Sequence, residues 1–417
     1  MDKDQSARVV VTGMGAVTPL GLNVKDTWQG LVEGRSGIGP ITAFDASSYP
    51  VQIMGEVKGF DPGEYMDRKE ARRMARFSQF AVAAAKMAVE DAALTIDESN
   101  ADDVGVVLGT GIGGGLVESE KAYRILMDKG VRRVPPLFVP SMIPNAAAHH
   151  VGCAFGIKGY TSTVIAACAS GTQGIGEGAR AIRDGSAKVV VAGGTESTVC
   201  ELALAGICAM RAVSRRNDEP ERASRPFDGE RDGFVSSEGC GILVLESLGH
   251  ALDRGARIYA EVLGYGVTSD AYHISAPDPQ GSGSAMAMRK AIADAGLEPK
   301  DVQYINAHAT ATPIGDPAEV IAIKDVFGAQ AYEIPVNATK SMLGHPMGAS
   351  GAVEAIVTIM TIQEDVLHPT INQETPDPDC DLDSVPNEAR RARVDIALSN
   401  SFGFGGQNAC LVLGRYQ

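Results

Sequence analysis

QFAVAAAKMAVEDAAL (residues 79–94) leads into DDVGVVLGTGIGGG (102–115), and the second half of the chain repeats the plan: SAMAMRKAIADAGL (284–297) leads into KDVQYINAHATATPIGD (300–316). Each copy has an alanine-rich stretch with helical spacing that ends on Asp-Ala-x-Leu, a short linker, a strand opening on Asp-Val, and a polar or glycine-rich loop. Further pairs recur in the same order. RVVVTGMGAVTP (8–19) is echoed by RIYAEVLGYGVTSD (257–270), and TSTVIAACASGTQGIG (161–176) by PVNATKSMLGHPMGASGAVEAIVTI (335–359). EGCGILVLES (238–247) is echoed by NACLVLGRY (408–416). An ordered series of matches points to duplication rather than to two unrelated α/β segments. Helices alternating with strands on this plan predict a sheet covered by helices in each half. The expected fold class is α/β, with halves 1–255 and 256–417 related by a pseudo-twofold axis.

The chain has 417 residues, of which 44% are hydrophobic, 21% charged and only 5% aromatic, with 48 glycines. That composition reads as a soluble α/β enzyme whose core packs small side chains closely. The net charge of -15 argues against nucleic acid as a partner, because phosphate binding needs a basic surface. Seven cysteines, at 153, 168, 200, 208, 240, 380 and 410, form no CxxC pair and no regular framework, which fits a reduced cytosolic setting. MDKDQSARVVVTGMG passes from a polar tail straight into a strand, and no apolar run approaches the roughly 18 residues of a membrane span. The expectation is a cytoplasmic protein that does not enter membranes.

Cys168 follows the run Thr163-Val164-Ile165 and precedes Gly171, Gly174, Gly176 and Ala179, small residues at helical spacing. By base rate, a free cysteine after an apolar run is a core residue. At a strand-to-helix turn, however, its thiolate would be favoured by the unpaired N–H groups and dipole of the helix N-terminus, as a nucleophile needs. Histidine is scarce, so its placement is informative. His308 follows a strand in QYINAHATATPIGD, and His345 precedes a small-residue helix in NATKSMLGHPMGASG. Either one alone reads as structural. Together, in loops equivalent to the active loops of the first half, they point to catalysis. No metal is expected, since these histidines have no third ligand at a usual spacing. His149 and His150 on one helix point about 100° apart and read as structural or interface residues. GTGIGGG (109–115) has the look of a dinucleotide loop, but no acidic strand end follows at the usual distance; SFGFGGQNA (401–409) has the same character. Such loops let backbone approach a ligand or present N–H donors.

With Cys168, His308, Lys340 and His345 in this order, the chain resembles the condensing enzymes of the thiolase fold, and most closely the β-ketoacyl-[acyl-carrier-protein] synthases of type II. The likeness runs through VVVTGMGAVTPLG (9–21), RNDEPERASRPFDGERDGFVSSEG (216–239), TSDAYHISAP (268–277), NAHATATPIGD (306–316), TKSMLGHPMGASGA (339–352) and NSFGFGGQN (400–408). It implies a thiolase-like fold of duplicated, layered α-β-α-β-α halves. It also implies a reaction in which Cys168 takes an acyl group from a carrier-protein thioester and malonyl-carrier protein loses CO2. The resulting enolate attacks the acyl thioester and extends the chain by two carbons. His308 and His345 would donate N–H bonds to the enolate oxygen. Lys340 would hold local charge through Glu354. The amides of Cys168 and Phe402 would form the oxyanion hole, with Phe402 gating the thiol. Ile112, Thr310, Thr312 and Phe404 would bind substrate.

The same resemblance implies that Lys69, Arg72, Arg73, Arg132, Arg133 and Arg211 dock an acyl carrier protein. It implies no cofactor beyond the 4'-phosphopantetheine that arrives on the carrier, with acyl- and malonyl-carrier protein as substrates and a homodimer as the assembly. Carrier proteins are acidic, as this chain is, but screening limits remote repulsion to about 8–10 Å, so a local basic patch can decide docking. Ala309 and Ala311 stand where many relatives have Gly and Ser, Pro346 follows His345, and Gln407 replaces a common Thr. None of these removes a reacting group. A coenzyme A thiolase would carry a second cysteine in the late glycine-rich loop; here that loop is SFGFGGQ, and Cys410 lies beyond it in a strand. A non-catalytic partner subunit would lack the active cysteine. A condensing subunit of a polyketide or polyene pathway would share all of these residues.

Overall fold

The valine-rich run Val9–Val17 is a strand buried along its whole length, as a β-branched segment covered on both faces should be. We describe residues 7–417 from a computed structural model; residues 1–6, most of the polar tail, lie outside the described residues. Ten strands form one mixed sheet: β1 (Val9–Val17), β2 (Val104–Gly109), β3 (Thr161–Val164), β4 (Val189–Glu196), β5 (Gly239–Ser247), β6 (Ala260–Ser269), β7 (Tyr304–Asn306), β8 (Val336–Asn337), β9 (Ile396–Gly403) and β10 (Gln407–Gly414). Their order is β3-β2-β4-β5-β1-β6-β10-β9-β7-β8.

Read inward from its edges, the sheet repeats itself. In the first half β2 pairs in parallel with β3 and β4, while β5 is antiparallel to β4 and β1. In the second half β7 pairs in parallel with β8 and β9, while β10 is antiparallel to β9 and β6. The halves join where Val10 and Val11 of β1 face Glu261 and Ala260 at the start of β6. The chain crosses from one half to the other between Asp253 and Ala260. The duplication expected from the sequence is present, with one further pair that the sequence did not reveal: VVVAGGTE in β4 and IALSNSFG in β9 occupy equivalent places.

Helix α1 (Arg76–Asp91) covers β1 and β5 on the outside, α2 (Gly115–Lys129) follows the loop after β2, and α3 (Ser170–Arg183) follows the Cys168 turn. In the second half α4 (Ser282–Asp294) covers β6 and β10, α5 (Gly315–Phe327) follows the His308 loop, and α6 (Ser350–Glu364) follows His345. Helices α3 and α6 pack on each other and touch strands of both halves, so they form the central layer of an α-β-α-β-α stack. Buried nearly all round, α6 needs apolar or small residues on every face, as in SGAVEAIVTIM. The glycines between these layers are steric requirements. A Cβ at Gly174 would lie 2.5 Å from the Gly193 carbonyl, and one at Gly351 would lie 1.9 Å from the Thr172 hydroxyl.

Candidate active site

β3 ends at Val164, and the chain turns through Ala166–Cys168 into α3. Ala167 adopts φ +49°, a left-handed conformation that a Cβ disfavours. Ser170 holds this turn: its hydroxyl donates to the Ala167 carbonyl at 2.6 Å and accepts the Ala166 N–H at 2.8 Å. The turn sets Cys168 on a cavity of about 410 Å³ whose wall also includes Phe234, His308, His345, Phe402 and Phe404.

His345 Nε2 lies 3.1 Å from Cys168 Sγ, and its Nδ1 lies 2.9 Å from the Ser350 hydroxyl in the first turn of α6. Phe234 meets the imidazole edge-on at 5.6 Å. The His308 ring stands 5.4 Å from the His345 ring at an interplanar angle of 83°. One thiol and two imidazoles, contributed by the two halves, therefore form a single cluster. Glu319 of α5 holds the His308 loop by accepting the His308 and Ala309 amides at 2.9 and 2.7 Å, and Asn400 of β9 donates to the same carboxylate at 3.1 Å. Lys340 and Glu354 form an ion pair whose side chains are each 2% exposed.

Burial, reinforced by the Lys340 charge, holds both imidazoles well below the usual histidine range. They are neutral at physiological pH, and each keeps one N–H. His308 Nδ1 is buried without a hydrogen-bond partner. Burial pushes the Cys168 thiol up to about 11, against the opposing pull of the Phe404 amide and Lys340. This departs from the expectation of a favoured thiolate: with Cys168 only 4% exposed, desolvation outweighs the Phe404 and Cys168 amides and the Lys340 charge.

A second correction concerns the oxyanion hole. The amide that reaches Sγ beside the thiol's own is that of Phe404, not Phe402. Phe402 is still in β9, paired with Asn408, and the chain leaves the sheet only after Gly403. A Cβ at Gly403 would lie 3.0 Å from the Cys168 nitrogen, so glycine is what lets this loop approach. The Phe402 ring packs against His308, with centroids 6.1 Å apart.

Thr310 and Thr312 line the cavity with their hydroxyls 3.2 Å apart, and Arg211 lies at its wall. Ile112 does not line it. Its side chain is 38% exposed, because the glycine loop turns its amides inward onto Glu196. The N–H donors of GTGIGGG are thus used within the protein. Arg72 and Arg73 line a separate groove with Lys121 and Phe138. Lys69 is exposed beside them, and Arg132 and Arg133 are exposed on the turn Val131–Arg133. His149 contacts Cys153 on the helix Ala146–Phe155, and no cluster of three or more metal-ligating side chains occurs among the described residues. Cys410 is buried in β10 and donates to Asn400. Sequence reasoning passed over Ser350, Glu319 and Glu196: Ser350 meets an imidazole, and the two carboxylates meet mostly backbone amides, which leave no motif.

A thiol so placed can accept an acyl group, and two neutral imidazoles beside it can steady an enolate. A duplicated fold that brings them together from its two halves defines the class of thiolase-fold condensing enzymes. Residues 6–251 match the family model described as beta-ketoacyl synthase, N-terminal domain, and residues 259–374 match the C-terminal domain of the same enzymes. The chain belongs to the beta-ketoacyl synthase family. It is 53% identical over 413 residues to 3-oxoacyl-[acyl-carrier-protein] synthase 2 of Synechocystis sp., covering 99% of each chain. Among solved structures it resembles the ishigamide ketosynthase/chain length factor, with TM-score 0.91 and 38% identity over 98% of this chain and 99% of that one. It also resembles one chain of a structure described as a type II PKS acyl-carrier protein in complex with its ketosynthase, with TM-score 0.90 and 35% identity over 98% of this chain and 99% of that one.

Proposed function

We propose that this chain is a 3-oxoacyl-[acyl-carrier-protein] synthase of fatty acid biosynthesis, an acyltransferase that condenses malonyl-carrier protein with a Cys168-bound acyl chain. The observation that carries this reading is the 3.1 Å approach of His345 to Cys168, with His308 beside it. The Cys168 sulfur attacks the acyl thioester, its proton passes to the departing pantetheine sulfur, and the oxyanion is held by the amides of Cys168 and Phe404. Malonyl-carrier protein then loses CO2, and the enolate oxygen accepts N–H bonds from His308 and His345. Enolate carbon attacks the acyl-enzyme, and the released Cys168 sulfur takes a proton from solvent. The product is two carbons longer.

The pantetheine arm runs past Thr310 and Thr312, and no resident cofactor is needed. Arg211 at the cavity wall, with Lys69, Arg72, Arg73, Arg132 and Arg133 farther out, provides positive charge for an acidic carrier. We assign a homodimer: β3 is an edge strand, and Tyr160 and Ile165 at its ends are 42% and 60% exposed, a template for pairing with a second copy. No helix among the described residues is long and apolar enough to cross a membrane, and we place the protein in the cytoplasm. A second reading, the condensing subunit of a polyketide or polyene pathway, is favoured by the ketosynthases among the similar structures. Elongation assays with carrier-bound acyl chains of graded length separate the two. Turnover of saturated fatty acyl carriers supports the first reading, and turnover of polyketide intermediates alone overturns it.

A further inference from the structure

Ala169-Ser170-Gly171 stands at the start of α3 and Ala349-Ser350-Gly351 at the start of α6, so the duplication places the same tripeptide behind the thiol and behind His345. Each glycine lets one helix start close on the other. A Cβ at Gly171 would lie 2.8 Å from the Ala352 nitrogen, and one at Gly351 would lie 2.8 Å from the Thr172 nitrogen. The two serines beside them are buried, at 0% and 1% exposure. Ser170 bonds the backbone of the Cys168 turn, whereas Ser350 bonds a side chain: its hydroxyl meets His345 Nδ1 at 2.9 Å. The backbone of His345 is held separately, its amide donating to the Val235 carbonyl at 2.7 Å and its carbonyl accepting the Ser237 amide at 3.1 Å.

A neutral imidazole carries one N–H, and the bond made by one ring nitrogen decides which nitrogen has it. Ser350 Oγ has no other hydrogen-bond partner among the described residues. If Nδ1–H donated to this oxygen, the hydroxyl's own proton would be buried with no acceptor. If the hydroxyl donates instead, that proton is satisfied and the imidazole N–H sits on Nε2, 3.1 Å from Cys168 Sγ.

We propose that Ser350 is a positioning residue for His345: its hydroxyl donates to Nδ1 and so keeps the imidazole N–H on Nε2, facing the thiol site. The inference rests on the reading above, in which His345 gives an N–H bond to the enolate, and adds the group that makes the facing nitrogen a donor.

The test compares the full-length wild type with Ser350→Ala and Ser350→Thr, using nitrogen NMR of isotope-labelled histidine, with His345→Ala to assign the ring, and steady-state decarboxylation of malonyl-carrier protein. In the wild type, His345 Nε2 should give a pyrrole-type signal and Nδ1 a pyridine-type one. In Ser350→Ala the two signals should converge as the other tautomer becomes populated. The kcat for decarboxylation should fall about tenfold with KM unchanged, and Ser350→Thr, which keeps the hydroxyl, should recover both signals and rate. A wild-type ring protonated on Nδ1, or a loss of kcat in Ser350→Ala with unmoved signals, overturns the proposal. His345→Ala separates the two failures. If it decarboxylates as the wild type does, the reading of His345 as enolate donor fails, while the ring signals still judge Ser350. If it loses decarboxylation and Ser350→Ala changes neither signals nor kcat, the role of Ser350 alone fails. Should Ser350→Thr not accumulate as folded protein, Ser350→Ala carries both readouts.

Discussion

Cys168 and His345 face each other as a neutral thiol and a neutral imidazole, and this protonation state has consequences that can be measured. Because burial pushes the thiol up to about 11, alkylation of Cys168 by iodoacetamide should quicken about tenfold per pH unit from neutrality toward pH ~10. A plateau near neutral pH would mean a resident thiolate. Both imidazoles are held well below 6.5, so decarboxylation of malonyl-carrier protein should stay flat as pH falls from about 8 to 6.5. Cys168→Ala should abolish elongation and leave this decarboxylation in place, whereas His308→Ala and His345→Ala should still form acyl-enzyme, visible by mass spectrometry, and lose the enolate step. Cys168, His308 and His345 could be picked out in the sequence because each stands where a strand gives way to a small-residue loop. The choice of Phe404 over Phe402 could not, since it depends on where the β9–β10 hairpin releases the chain.

Elements are held in register by steric fit and by buried charge. Gly174→Ala would drive a methyl to 2.5 Å from the Gly193 carbonyl, push α3 off β4 and cost about 1–3 kcal/mol in urea unfolding. Glu246 of β5 links Thr12 of β1, His250 and Arg254. Burial alone would raise its carboxyl, but Arg254, His250 and Thr12 together hold it at about 2 rather than 4.5. Its stabilisation is therefore complete above the unfolded value and lost as pH falls from about 4.5 toward 2, by about 3 kcal/mol. Urea titrations across that window should show the loss, and Glu246→Gln should flatten it. The alanine-rich helices and most strands were legible because their patterns recur. The kinship of β4 and β9 was not, because VVVAGGTE and IALSNSFG meet the same geometric demand with different residues.

At the scale of the whole molecule, the net charge of -15 makes local cations decisive for an acidic partner. Charge reversal at Arg72 and Arg132 should raise KM for carrier-bound substrates and leave small thioester surrogates unaffected; equal effects on both would place docking elsewhere. The sequence by itself determined the duplication, the layered α/β class, the thiol with its two histidines, and the need for small residues around them. These are legible because periodicity and turn residues are local, and the repeat makes each half a check on the other. Only the tertiary structure decided which amide meets the thiol, that burial pushes its titration up, and that Glu196 accepts the amides of Gly111 and Gly348 from two distant loops. Those outcomes turn on desolvation and on hydrogen bonds to main-chain groups, which every residue carries and no sequence pattern marks.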